Sequence, residues 1–142
     1  MTALAKKICL LTCTTALLLC LGSCAQKVSF MTSSVVPAAR GDVKISKDNN
    51  NNFVVRIQLF NLAEPSRLQP AKSMYVVWVE TTDHNAKNIG QIKTSSKFLS
   101  SALKSSFQSM SSLKPTKIFL TAEDDAGVQF PSSQIVLSTE NF

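Results

Sequence analysis

Glu123-Asp124-Asp125 is the densest run of carboxylates in a chain with nine acidic residues, and hard cations such as calcium take oxygen ligands of this kind. Glu80 and Asp83 could join them from a neighbouring loop. The run lacks the ligand spacing and the central glycine of an EF-hand. Two readings follow: the tip of an acidic hairpin, with Asp and Gly127 serving turn geometry, which the sequence favours, or a loop that binds calcium, a carbohydrate or another small ligand.

Other chemistry is thinner. Nucleophilic catalysis needs a serine or cysteine, a base within reach and a group to orient that base. The single histidine, His84, falls in the polar stretch TTDHNAKN, and no G-x-S-x-G is present. Zinc wants three or four Cys and His ligands, which one histidine does not supply. Glycoside hydrolysis needs two carboxyl groups about 5 to 9 Å apart across a cleft, and loops this short leave little room for one. Trp78 could stack on a sugar, but its place inside an apolar run reads as core. No catalytic residue, metal site or cofactor is assigned, and the chain is read as non-enzymatic.

The four cysteines are Cys9, Cys13, Cys20 and Cys24. Lys6 and Lys7 precede an uncharged apolar stretch from Ile8 to Leu21, and Gly22-Ser23 follow it. This is the order of a secretory signal, and the apolar stretch is shorter than the roughly 18 residues a membrane-crossing helix needs. Leu21-Gly22-Ser23-Cys24 resembles the bacterial lipobox, in which the thiol of the cysteine is diacylated and the chain is cut just before it. That resemblance makes residues 1–23 a lipoprotein signal peptide and Cys24 the lipidated first residue of the mature chain. Cys24 is then the one cysteine retained and its sulfur is committed, so no disulfide can form within the domain. Acyl chains contribute about 0.8 kcal/mol per buried methylene, so several of them make a lasting anchor.

The formal charge of +6 includes the two signal lysines. The remaining basic residues never form a run of five, and no basic block is interleaved with aromatics, so nucleic-acid binding has little support. Without disulfides the mature chain must hold itself by its own core, which its length allows, and one domain is expected.

Residues 24–40 read as the lipidated N-terminus and a tether or edge strand, and residues 41–142 as the folded domain. GDVKIS and FVVRIQLF alternate, with Val43 and Ile45 on one face of the first and Phe53, Val55, Ile57 and Leu59 on one face of the second. Asp48 to Asn52 between them makes a hairpin loop. NLAEPSRLQPAKS has two prolines and no period, as a connection between sheets would. MYVVWVETT is apolar on both faces, Tyr75, Val77 and Val79 against Met74, Val76 and Trp78, which predicts a central strand. IGQIKT is a short strand in which Gly90 permits a bulge or close packing.

Leu99, Leu103, Phe107 and Met110 fall on a helical stripe, while the even spacing of the first three also suits a strand. Seven serines from Ser95 to Ser109 weaken a helix, and a strand over Lys97 to Phe107 is favoured. TKIFLTAE and a strand around Gln134 to Ser138 complete seven or eight short strands. Turn signals at intervals of about ten residues predict an all-β fold, an immunoglobulin-like β-sandwich.

The order Tyr75-Val76-Val77-Trp78-Val79, Asn88-Ile89-Gly90-Gln91-Ile92, Phe119-Leu120-Thr121-Ala122-Glu123 and Phe130-Pro131-Ser132-Ser133-Gln134-Ile135-Val136-Leu137 resembles the extracytoplasmic C-terminal domain of anti-sigma-K-type factors. The resemblance covers about Asn61 to Leu137 and implies a related sandwich. Sigma-binding helices and a transmembrane helix are missing from the pattern, and EDDAG replaces that family's Gly-rich loop, so the signalling role does not carry over. The mature chain as a whole is similar to small uncharacterised lipoproteins of Bacteroidetes type. Ala25-Gln26-Lys27 after Cys24 resembles the start of outer-membrane lipoproteins. Lacking the acidic export cluster of surface-exposed ones, it implies the periplasm-facing leaflet of the cell envelope.

The expectation is thus a lipid-anchored periplasmic β-sandwich, a non-catalytic protein-binding or structural module. It would touch the membrane through its N-terminal lipid and an envelope protein partner through an edge strand or loop. The alternative is a calcium-dependent, carbohydrate or small-ligand domain using Glu123, Asp124 and Asp125.

Overall fold

The computed structural model describes residues 25–92 and 104–142. The signal peptide, Cys24 and the 97–103 part of the expected serine-rich strand lie outside these residues. Among the described residues no helix is long and apolar enough to cross a membrane.

The chain builds eight strands: β1 (Gln26–Ser29), β2 (Arg40–Lys47), β3 (Phe53–Phe60), β4 (Met74–Glu80), β5 (Ala86–Ile92), β6 (Lys104–Ser111), β7 (Lys117–Glu123) and β8 (Ile135–Ser138). One 3-10 turn, Pro65–Arg67, interrupts the β3–β4 connection. The strands form two four-stranded sheets, β1-β2-β3-β6 and β5-β4-β7-β8, with every neighbour antiparallel. The all-β sandwich expected from the alternation is the observed fold.

The period-2 pattern fixes which faces meet. Val43 and Ile45 of β2 and Val55, Ile57 and Leu59 of β3 point inward, against Tyr75, Val77 and Val79 of β4 and Ile118, Leu120 and Ala122 of β7. Burying a side chain of this size stabilises the fold by about 1.5–3 kcal/mol. β4 is central, as its two apolar faces require, and its other face makes a second cluster of Val76, Trp78 and Phe119. Tyr75 is buried in the main core, where its hydroxyl donates to the Ala63 carbonyl oxygen at 2.9 Å.

At Asp48–Asn52 the Asp48 carboxylate accepts from the backbone N–H groups of Asn50 and Asn52, both at 2.8 Å, and Asn51 adopts φ 62°. This is the local bonding that makes Asp and Asn turn residues. Gly90 takes φ 134°, and the β4–β5 register shifts there, with Val77 opposite Gly90 and Trp78 opposite Asn88. Ile89 is the extra residue of this bulge. A Cβ at Gly90 would lie 3.1 Å from the Phe107 ring, so bulge and close packing occur together.

β6 decides the helix-or-strand question for its own residues. A helix would set Phe107 and Met110 on one stripe, whereas the strand turns Phe107 toward the core and leaves Met110 65% exposed. The described part of the strand runs from Lys104 to Ser111.

The segment after β1 is no slack tether. Phe30 N–H still donates to the Gly41 carbonyl oxygen of β2 at 3.0 Å while Phe30 bridges to Thr139; Met31 N–H then donates to the Ser138 carbonyl oxygen at 2.9 Å, and the Ser33 hydroxyl donates to the Val136 carbonyl. Residues 26–33 therefore pair first with one sheet and then with the other. Val36 and Ala39 follow into the core.

Candidate functional site

β7 delivers Glu123 to its C-terminal end, and the connection from Asp124 to Gln134 departs from there. Thr121 and Glu123, two apart on a strand, share a face. On that face Trp78 Nε1 donates to Thr121 Oγ1 at 2.7 Å, and Thr121 donates to Glu123 Oε1 at 2.6 Å. Ser132 N–H donates to the same Glu123 oxygen at 2.8 Å. A buried polar group left without such partners would cost about 1–3 kcal/mol. Glu123 is 5% exposed.

This corrects the acidic hairpin tip. Glu123 is an interior strut, and the connection is a long loop that folds back over the outer face of β4 and β7. Asn88 Nδ2 holds it by donating to the carbonyl oxygens of Ala126 at 2.8 Å and Val128 at 3.1 Å. Val128 packs on the Trp78 cluster, where the Trp78 and Phe119 rings stack with centroids 6.2 Å apart. Trp78 is fully buried and offers no face to a sugar.

Asp124 and Asp125 turn elsewhere. Lys72 Nζ lies 2.7 Å from Asp124 Oδ2, and Asp125 Oδ1 accepts from Gly127 N–H at 2.7 Å. The three consecutive acids thus address three different partners and do not converge. Among the described residues no group of three or more His, Cys, Asp or Glu side chains is arranged to hold a metal ion. Glu80 and Asp83 sit at the other end of β4, away from this loop. There Glu80 pairs with His84 across the β4–β5 turn, Nδ1 to Oε1 at 3.0 Å, with the imidazole in solvent.

Beside the Lys72–Asp124 pair the surface opens into a groove of about 650 Å³. Its walls are Gln69, Pro70 and Lys72 on one side, Ser132 to Ile135 on another, and Ser34 and Val35 from the chain that crosses between the sheets. Gln134 is its notable polar group. Its Nε2 donates to the Pro70 carbonyl oxygen at 3.4 Å, while Oε1 is buried without a hydrogen-bond partner. Buried acceptors are normally paired, and this oxygen is closed off from the solvent in the groove. Sequence reading missed the groove because it joins residues about sixty positions apart, and Gln134 looked like the start of a strand.

Two sheet edges are occupied by the chain itself. Residues 30–33 lie along β8, and β6 leans on β5 where Ser109 Oγ donates to the Ile89 carbonyl oxygen at 2.9 Å. Comparison with known protein families, curated proteins and solved structures gave no match for this chain.

Proposed function

We propose that the protein is a lipid-anchored lipoprotein of the periplasm-facing outer-membrane leaflet, a non-catalytic module that binds an envelope protein partner. Leu21-Gly22-Ser23-Cys24 supports the anchor, and the groove supports the binding role. The observation that carries the reading is the groove itself, where Ser34, Ser132 and Ser133 lie beside the exposed side chains of Val35 and Ile135. Such a surface suits an extended segment whose backbone bonds the serine hydroxyls and whose apolar side chains rest on Val35 and Ile135. Because residues 30–33 cover β8, recognition at this end works through the groove rather than by strand addition.

The strand order also supports an immunoglobulin-like relation. β3 lies beside β6 in one sheet and β4 beside β7 in the other, so consecutive strands cross between the sheets as in a Greek-key sandwich.

The test is site-specific photocrosslinking in the native envelope. A photoreactive residue at Ser133 should capture one defined protein, and the same residue at Gln58, on the outer face of β3, should not. Ile135→Asp, at an exposed groove side chain, should reduce the capture, and Cys24→Ala should abolish it by releasing the protein from the membrane. Equal capture from both positions would refute the groove as the binding surface.

A further inference from the structure

We infer that the domain stands on the bilayer by its β2–β3 hairpin end and holds the groove away from the lipid. The inference rests on the lipidated Cys24 of the proposed function and adds an orientation and a second contact surface. It starts from chain length. Only Ala25 separates Cys24 from Gln26, the first residue of β1. Two residues span at most about 7 Å even when fully extended.

β1 itself is fixed. Its four residues pair in register with β2, Gln26 opposite Ile45 and Ser29 opposite Asp42. Lys27 Nζ lies 3.1 Å from Asp42 Oδ2, and Ser29 Oγ donates to Asp42 Oδ1 at 2.7 Å. The lipid is therefore attached to a strand already built into the sandwich, and the domain cannot move far from the headgroups.

The register then says which end faces them. Ile45 is two residues from Lys47, where β2 turns into the Asp48–Asn52 loop. Phe53, across that turn, pairs with Ser111 at the end of β6, so residues 112–116 lie at the same end. Here the surface carries Met110, 65% exposed, and Leu113, 39% exposed, with Lys47 and Lys114 beside them. Apolar side chains flanked by ammonium groups suit the boundary between acyl chains and anionic headgroups. Asp48 keeps its charge here, and Glu80 and Asp83 lie at the same end, so the short link and the exposed apolar side chains carry the orientation rather than net charge.

The groove lies at the opposite end. Lys72 precedes Met74, which pairs with Glu123, and Glu123 accepts from Ser132. Glu80 pairs with Lys117 at the far end of the same seven-residue strand. At about 3.3 Å per residue, the groove stands roughly 20 Å further from the anchor. A partner would meet it from the aqueous side.

The mature chain retains Cys24 alone, with its thiol acylated, so new cysteines can be labelled singly. Asn50→Cys and Ser133→Cys, each made in the full chain, processed in cells and labelled with a fluorophore, would be placed in phosphatidylethanolamine–phosphatidylglycerol vesicles carrying a headgroup nitroxide. The label at 50 should lose most of its emission and the label at 133 should keep nearly all. A flexible glycine-serine insert between Ala25 and Gln26 should erase the difference. Equal quenching of the two labels on acylated protein overturns the orientation alone. An intact mass showing Cys24 without diacylglycerol overturns the anchor reading and the orientation together.

Discussion

Trp78 Nε1 and Thr121 Oγ1 lie 2.7 Å apart beneath the β7–β8 loop, and Thr121 relays the bond to Glu123 at 2.6 Å. Thr121→Val keeps the shape and removes both bonds, leaving a buried indole N–H unpaired. The expected loss is about 1–3 kcal/mol, measured by urea unfolding. Trp78 is the sole tryptophan, so its emission follows the transition directly. A loss below about 0.5 kcal/mol, the size typical of a neutral surface change, would show that the relay contributes little.

The phenol of Tyr75 is pushed up to about 12 from its ordinary value of 10.0 by burial. The folded state therefore holds the proton more tightly than the unfolded state does. Its contribution to stability is complete below pH 10 and is lost as pH rises toward 12. Tyr75 is the only tyrosine, so tyrosinate absorbance should titrate near 12 in buffer and near 10 in concentrated urea. Coincident midpoints would contradict the burial.

Gly90→Ala adds a Cβ about 3.1 Å from the Phe107 ring and imposes φ 134° on an L side chain. The expected cost is about 1–3 kcal/mol. Phe107→Leu in the same chain should relieve the steric part and leave the backbone part, so a double-mutant cycle on chemical unfolding separates them. Strict additivity of the two changes would deny the contact.

Asp42 is held below its ordinary value of 3.8, first by the hydrogen bond from Ser29 and then by Lys27. A lowered carboxyl stabilises the fold above its unfolded value and loses that contribution as pH falls through the folded one. Asp42→Asn should destabilise the protein at pH 7 by no more than about 1 kcal/mol, as for exposed pairs. The difference from wild type should shrink as pH falls below 3.8 and vanish once the folded carboxyl is protonated. A difference that persists in acid would point to a steric effect of the substitution.

Calcium supplies a test of the acidic run. Asp124 is engaged by Lys72 and Asp125 by Gly127, so millimolar calcium and chelator should leave the melting temperature alike. A ligand that binds only the native state raises it. A calcium-dependent rise lost in Asp124→Ala and Asp125→Ala would restore the cation-loop reading.

The strands were legible because their cause is local. Val76, Val77 and Val79 with Tyr75 and Trp78 leave β4 no solvent face, and Val43 and Ile45 against Val55 and Ile57 mark two inner faces by alternation alone. Asp48 to Asn52 declared its turn through side chains that bond their own backbone. Glu123 was misplaced because its burial depends on Trp78 and Ser132, which reach it from another strand and from the far side of a loop. Phe30 to Ser33 could not be read either, since their partners on β8 are about a hundred residues away. Gln134 and Lys72 meet at one groove for the same reason.

The strap formed by residues 26–33 has a mechanical meaning. It climbs from the β2–β3 hairpin end, zipped to β2 over its first half and to β8 over its second. Tension between a lipid-held Cys24 and a partner seated in the groove would act along the axis of this strand. Bonds perpendicular to such a pull are sheared together instead of peeled singly. Rupture then requires many to fail at once, so the strap resists force better than its few pairs would suggest.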